Sequence, residues 1–297
     1  MPPGGPSSTT PQRASAVLLL CLLAGACTKH NGSPTSPPPP GQDIFYTAIG
    51  ASDAIGIGAS IPCFPFAPCP SGTGYVPVIG RALADGRDVT ITNLGIPAAV
   101  IGPDIQAIGR QYGRDIPANF IEREMPFVPP MTNVLTIFAG ANDTNAIGDA
   151  VESGAGGSDP QAYIAVQIRA FGADYDTLLR GVRQRAPSTR IVLANLPNLA
   201  GVPYAAGYSA VRQRGLQRIS VGFSVEVINR LASRGVAVVD LLCDPRSYDP
   251  GNYSGDGFHL NDSGYAFLAA EFVEAINTAT FPAPRTACPQ MTLVPPL

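Results

Sequence analysis

Apolar positions fall along this chain in two alternating rhythms. Ile44-Phe45-Tyr46-Thr47-Ala48-Ile49 is a short run rich in β-branched and aromatic residues that stops abruptly at Gly50-Ala51-Ser52, which predicts a buried strand entering a tight turn. Further strands are predicted at Arg87 to Leu94, Asn133 to Ala139, Arg190 to Asn195 and Val236 to Leu242. Between them the spacing turns helical. Helices are predicted over Tyr75 to Ala84, over Ala98 to Tyr112 with its period interrupted at Pro103, over Tyr163 to Arg185, over Val211 to Arg234 closed by Gly235, and over Asp262 to Thr278 with Asn261 or Asp262 as N-cap. Thr144 to Pro160 is polar and Gly-rich and reads as a mobile loop over the end of the sheet, a candidate lid. Strands alternating with helices in this way predict βαβ units, hence an α/β fold with a parallel sheet covered on both faces.

Composition adds limits. Of the residues, 45% are apolar and 14% charged, which supports a sizeable core. The net charge of −3 provides no basic footprint, so nucleic acid is not an expected partner. Only two histidines occur, His30 and His259, leaving little scope for a His-based metal site.

The N-terminus reads as an export signal. Arg13 precedes a 13-residue apolar run, Ala14 to Ala26, shorter than the roughly 20 residues a spanning helix needs. It ends in Ala24-Gly25-Ala26-Cys27, which resembles a bacterial lipobox, although Ala24 stands where Leu is usual. Two outcomes follow: lipidation of Cys27, which would tether the protein to a membrane, or cleavage after Ala26 and release into the periplasm or medium. The expected organisation is a signal segment over 1–27, a Pro-rich spacer over 28–42, a folded domain over 43–281 and a Pro-rich tail over 282–297. Beyond Cys21 and Cys27, four cysteines remain. Four allow three pairings. Cys63–Cys69 and Cys243–Cys288 are favoured, the first stapling a Pro-rich loop and the second pinning the tail.

Candidate chemistry gathers at predicted strand ends. Ser52 follows the first strand, where open α/β folds bind ligands. His259 is the only histidine in the folded region and stands just before the last helix. Asp256, three residues earlier, is placed to fix its tautomer. Asn142, in Gly140-Ala141-Asn142-Asp143, and the backbone N–H groups of Gly95 and Ser52 are candidate oxyanion donors. Taken singly, each is as easily an ordinary turn or capping residue. Gly-Ala-Ser-Asp-Ala breaks the Gly-x-Ser-x-Gly pattern of α/β-hydrolases, and Gly56-Ile57-Gly58-Ala59-Ser60-Ile61 lacks the third glycine of a dinucleotide turn.

Four stretches in order, Ile49-Gly50-Ala51-Ser52, Asn93-Leu94-Gly95, Gly140-Ala141-Asn142-Asp143 and Asp256-Gly257-Phe258-His259-Leu260-Asn261, resemble the SGNH (GDSL-type) hydrolase superfamily. The resemblance implies a three-layer α/β/α sandwich with a flavodoxin-like, five-stranded parallel sheet. It implies ester hydrolysis through a serine acyl-enzyme without metal or organic cofactor. Ser52, Asp256 and His259 would be catalytic, and Ser52, Gly95 and Asn142 would form the oxyanion hole. The partner expected is a small-molecule or lipid ester; a thioester, a sugar acetyl group, or a binding module without turnover are the alternatives. One departure stands out: Ala51 replaces the family's usual Asp, leaving open what holds the Ser52 turn, with Asp53 as a candidate. Phe64 and Phe66 in the Cys63–Cys69 loop are a candidate apolar wall beside Ser52.

Gly58-Ala59-Ser60 repeats the Gly-Ala-Ser tripeptide without a preceding strand. Ester cleavage is expected to be lost in Ser52→Ala and retained in Ser60→Ala; the opposite pattern in a p-nitrophenyl ester assay would reassign the nucleophile.

Overall fold

The first strand forms because its alternate residues have two apolar surfaces to meet. In the computed structural model, which describes residues 36–297 apart from Phe66, together with Met1 and Gly5, Ile44, Tyr46 and Ala48 of β1 (Ile44–Gly50) pack to one side of the sheet and Ile49 to the other. The expected signal segment, Cys21, Cys27 and most of the spacer lie outside the described residues, as does Phe66. Strands β2 (Val89–Asn93), β3 (Val134–Phe138), β4 (Arg190–Ala194) and β5 (Ala237–Val239) complete a five-stranded sheet of order β2-β1-β3-β4-β5, parallel throughout. Helices α1 (Tyr75–Leu83) and α7 (Asp262–Asn277) cover one face. The other is covered by α2 (Pro103–Gln111), α3 (Phe120–Arg123), α4 (Ala141–Glu152), α5 (Pro160–Arg185) and α6 (Ala210–Gly222). The three-layer α/β/α arrangement is therefore the one expected. Among the described residues no helix is long and apolar enough to cross a membrane.

The departures are local. The expected loop from Thr144 to Pro160 is mostly helix: α4 runs to Glu152, with Ala146, Ile147, Ala150 and Val151 buried on one stripe. Polar residues at Asp143, Thr144 and Asn145 obscured that stripe in the sequence, yet all three are buried beside it. Only residues 153–159 remain as turns, so the segment is not a lid. The helix expected from Ala98 starts only at Pro103, whose missing N–H suits a first helical turn. The helix expected from Val211 to Arg234 widens into a π turn over Phe223–Val227 and then tightens to 3-10 geometry over Ile228–Arg234. Ser224, in the π turn, exchanges hydrogen bonds of 3.0 Å with the backbone of Leu196, a tie that interrupts the regular helix.

Both favoured disulfides are present, Cys63–Cys69 and Cys243–Cys288. The second draws the tail back to the domain. There Gln217 binds the Val294 carbonyl at 2.7 Å and Leu297 packs against the core. The Cys63–Cys69 loop lies along edge strand β2, where it lines a groove with Val76 and Thr90, and Phe64 is 80% exposed. It is not a wall beside Ser52.

At the start of α4, Asp143 is wholly buried and accepts the Ile101 N–H at 2.9 Å. Burial pushes its carboxyl up to about 7, and burial likewise raises Asp174 to about 6 and Glu124 well above the usual carboxylate range. A carboxyl whose folded pKa exceeds its unfolded value holds its proton more tightly when folded. Stability from such groups is full below about pH 4 and is lost as pH rises towards 7. Asp143→Asn keeps the acceptor for Ile101 and removes the ionisation. Urea denaturation should show the variant losing less stability than the parent between about pH 5 and pH 8.

Candidate active site

Parallel register aligns the strand ends that build the site. Gly50 pairs with Phe138, and Phe138 with Ala194, so the β1–α1 and β3–α4 turns emerge side by side. Ser52 lies two residues beyond β1 and Asn142 four beyond β3.

The β1–α1 turn is closed by backbone bonds from Ala54 to Ala51, Gly56 to Asp53 and Ile57 to Ser52. With Ala51 in place of an acid, two other groups anchor it. Glu124, fully buried so that its carboxyl is raised well above the usual range, accepts the Gly50 N–H at 2.9 Å. The Tyr265 hydroxyl of α7 reaches the Ile57 carbonyl at 2.6 Å and Asp53 Oδ1 at 3.2 Å. Asp53, raised by burial against the influence of His259 and Tyr265, thus takes part through Tyr265. Glu124 was not legible beforehand, since Glu122-Arg123-Glu124 reads as an exposed polar face.

His259 arrives from the opposite end of the chain. Residues 254–259 form a tight loop, with the Ser254 N–H on the His259 carbonyl at 2.8 Å and Tyr253 bridged to Leu260. Asn261 then caps α7 through the Gly264 N–H. Gly58 lets the Ser52 turn close on this loop: it has φ +92, and a Cβ there would stand 2.4 Å from the Leu260 carbonyl oxygen.

The result is a continuous hydrogen-bonded chain. His259 Nε2 lies 2.8 Å from Ser52 Oγ, and His259 Nδ1 lies 2.6 Å from Asp256 Oδ2. Asp256 Oδ1 accepts from the Phe258 and His259 amides and the Ser254 hydroxyl, each at 2.8–2.9 Å. Burial alone would raise the Asp256 carboxyl; the hydrogen bonds from His259, the two amides and Ser254 outweigh it and hold the carboxyl far below its usual range. Asp256 is therefore an anion at neutral pH. Ser52 itself is 6% exposed. Ser60 is placed elsewhere, its hydroxyl on Asp262 Oδ2 at 2.6 Å.

The donors are arranged differently from expectation at one position. Asn142 lines the cleft of about 470 Å³ that also contains Ser52 and His259, and its Nδ2 donates to the Ala99 carbonyl at 3.1 Å. Gly95 does not line it. Its N–H donates to Asn93 Oδ1 at 3.0 Å, and an added Cβ would lie 2.6 Å from the Ala54 Cβ, so Gly95 serves close packing under the Ser52 turn. The β2–α2 loop reaches the cleft instead at Ala98. Ala98 is the one non-glycine residue with positive φ among the described residues, at +62, and its N–H makes no hydrogen bond there. A left-handed alanine is a strained conformation of the kind found at functional sites. No sequence signal marks it, because Asn-Leu-Gly nearby is the more obvious turn. Asn142 on the Ala99 carbonyl and Asp143 on the Ile101 N–H tie this loop to the start of α4 just after Ala98.

No group of three or more His, Cys, Asp or Glu residues is placed to hold a metal ion among the described residues.

No curated protein matches this chain in sequence. Among solved structures it is similar to phospholipase A1 from Streptomyces albidoflavus, at 16% identity and TM-score 0.51, over 80% of this chain and 99% of that one. It is also similar to a GDSL-like lipase from Parabacteroides merdae, at 18% identity and TM-score 0.51, over 79% and 96%. At such identities the likeness concerns the fold. Residues 48–267 match the GDSL-like lipase/acylhydrolase family, a span that holds all four stretches singled out in the sequence, and the chain belongs to that family of ester hydrolases.

Proposed function

We propose that the protein hydrolyses carboxylic esters through an acyl-enzyme on Ser52. The observation that carries this is the Ser52–His259–Asp256 chain, with contacts of 2.8 and 2.6 Å between groups up to 207 residues apart. His259 Nε2 takes the Ser52 proton as Oγ attacks the ester carbonyl. Ionised Asp256 holds the other ring nitrogen as the donor and stabilises the imidazolium. The oxyanion of the tetrahedral intermediate is received by the Asn142 side-chain amide and the backbone N–H groups of Ser52 and Ala98, with Ala98 taking the part expected of Gly95. As the intermediate collapses, the carbon–oxygen bond to the alcohol breaks and His259 returns the proton to the departing oxygen. Water then attacks the acyl-serine with His259 again as base, releasing the acid and restoring Ser52.

The two disulfides are consistent with the exported location expected from the N-terminal segment. Whether the domain is released or tethered through Cys27 follows from processing of that segment.

With p-nitrophenyl acetate, Ser52→Ala and His259→Ala should lower kcat by at least about 10⁴-fold. Asp256→Asn should lower it by about 10²–10⁴-fold. Asn142→Ala should cost about 10²–10³-fold in kcat with KM little changed, because the donor acts on charge that develops only in the transition state. Full activity in Ser52→Ala, or labelling of that variant by a serine-directed phosphonate, would reject the mechanism.

A further inference from the structure

The two halves of an ester must lie on opposite sides of Ser52, and this fold treats the two sides unequally. His259 has to return its proton to the leaving oxygen, so the alcohol half must lie on the His259 side. There a run of aromatic rings leads away from the imidazole. Phe258 stands 5.0 Å from His259 between centroids, Tyr204 4.9 Å from Phe258, and Tyr208 5.4 Å from Tyr204, each pair edge to face. Phe258, Tyr204 and Tyr208 all line the Ser52 cleft.

This wall is braced. The Arg212 guanidinium lies 4.4 Å from the Tyr208 centroid, and Arg212 is itself paired with Asp149 at 2.5 Å and Glu152 at 2.8 Å. The Tyr204 hydroxyl donates to Asn145 Oδ1 at 3.1 Å. Beside the rings the cleft presents polar groups, the Asn145 side chain and Arg114, whose Nε and Nη2 are held by Asp149. Two arginines facing Asp149 and Glu152 leave this side without net charge. An open cleft with a ring-stacking wall, amide and hydroxyl groups and no net charge suits a neutral polyhydroxylated ring better than an anionic headgroup or an alkyl chain.

The acyl half then lies towards the rest of the lining, Ile57, Pro97 and Ala98. The hollows behind the site measure about 40 Å³ and about 10 Å³, small beside the open cleft of about 470 Å³.

We propose that this cleft takes short-chain, acetyl-sized esters of carbohydrates, with the sugar ring against Tyr204 and Tyr208 and the acyl group against Pro97 and Ala98. The inference rests on the ester-hydrolase reading and adds the substrate class. Hydrolysis moves water across the acyl–oxygen bond and yields acetate and the free sugar hydroxyl, with no further reactant.

The test compares kcat/KM for monoacetyl glucose, monooctanoyl glucose, phenyl acetate and methyl acetate. Monoacetyl glucose should be preferred over each of the other three. Tyr208→Ala should lower the ratio of monoacetyl glucose to methyl acetate by about three- to tenfold, mainly through KM, the size of one aromatic contact. Tyr208→Phe, which keeps the ring, should restore most of that ratio. Preference for the octanoyl ester, preference for phenyl acetate, or a ratio indifferent to Tyr208→Ala would overturn the proposal while leaving ester hydrolysis intact. If no ester is cleaved, the mechanism fails first. Calorimetry with monoacetyl glucose and the Ser52→Ala protein then decides separately: binding that is lost on adding Tyr208→Ala supports the wall, and absence of binding overturns it.

Discussion

Parallel pairing of β1 between β2 and β3 is the constraint on which the site depends. Because all five strands run the same way, every strand-to-helix turn emerges at one edge of the sheet. The order β2-β1-β3 sends the chain to opposite sides after β1 and after β3 and leaves a crevice between those two turns. Ser52 and Asn142 occupy that crevice because Gly50 and Phe138 are in register. A slip of one residue would turn Ile49 towards α1 and α7 and Ala48 towards the opposite core, so burial on both faces enforces the alignment.

Around this frame, buried polar groups do the positioning. Glu124 on Gly50, Asn93 on the Ala54 carbonyl and the Gly95 amide, Tyr265 on Ile57 and Asp53, and Asp143 on Ile101 each tie a turn to an element distant in sequence. Burying such groups costs free energy unless they are hydrogen-bonded, and a satisfied buried network holds one geometry in preference to others. Two of them, Glu124 and Asp143, are carboxyls whose burial favours the neutral form. The fold thus accepts a pH-dependent loss of stability at the edge where the loop carrying Ala98 must be held still. Asp256 is the counterpart: half exposed and surrounded by donors, it favours the charged form. Three acids in one region take opposite protonation preferences because Glu124 and Asp143 are buried with few donors, whereas Asp256 is half exposed and faces several.

Legibility in the sequence followed the range of the interactions involved. Ser52, Asn142, Asp256 and His259 stand next to strong local signals: an apolar run that stops at a small-residue turn, or a Gly-rich turn before a helix. The strands were legible because each is a short apolar run between turn residues. Helix α4 was hidden because Asp143, Thr144 and Asn145, polar and buried together, broke its apolar period. Glu124 was hidden because a buried acid has no signature beyond its partner. Gly95 drew notice and Ala98 did not because glycine advertises an unusual backbone, whereas an alanine at positive φ carries no such mark.

The order of elements, the parallel sheet and the residue types brought to the crevice were therefore determined by local pattern, since burial periodicity and turn chemistry act over a few residues. Which amide faces the cleft, what anchors the Ser52 turn, where the disulfide loop lies and which rings flank His259 were decided only by tertiary structure. Those outcomes depend on which groups, tens to hundreds of residues apart, come within hydrogen-bonding or packing distance once the sheet has closed, and no short window of sequence contains both partners.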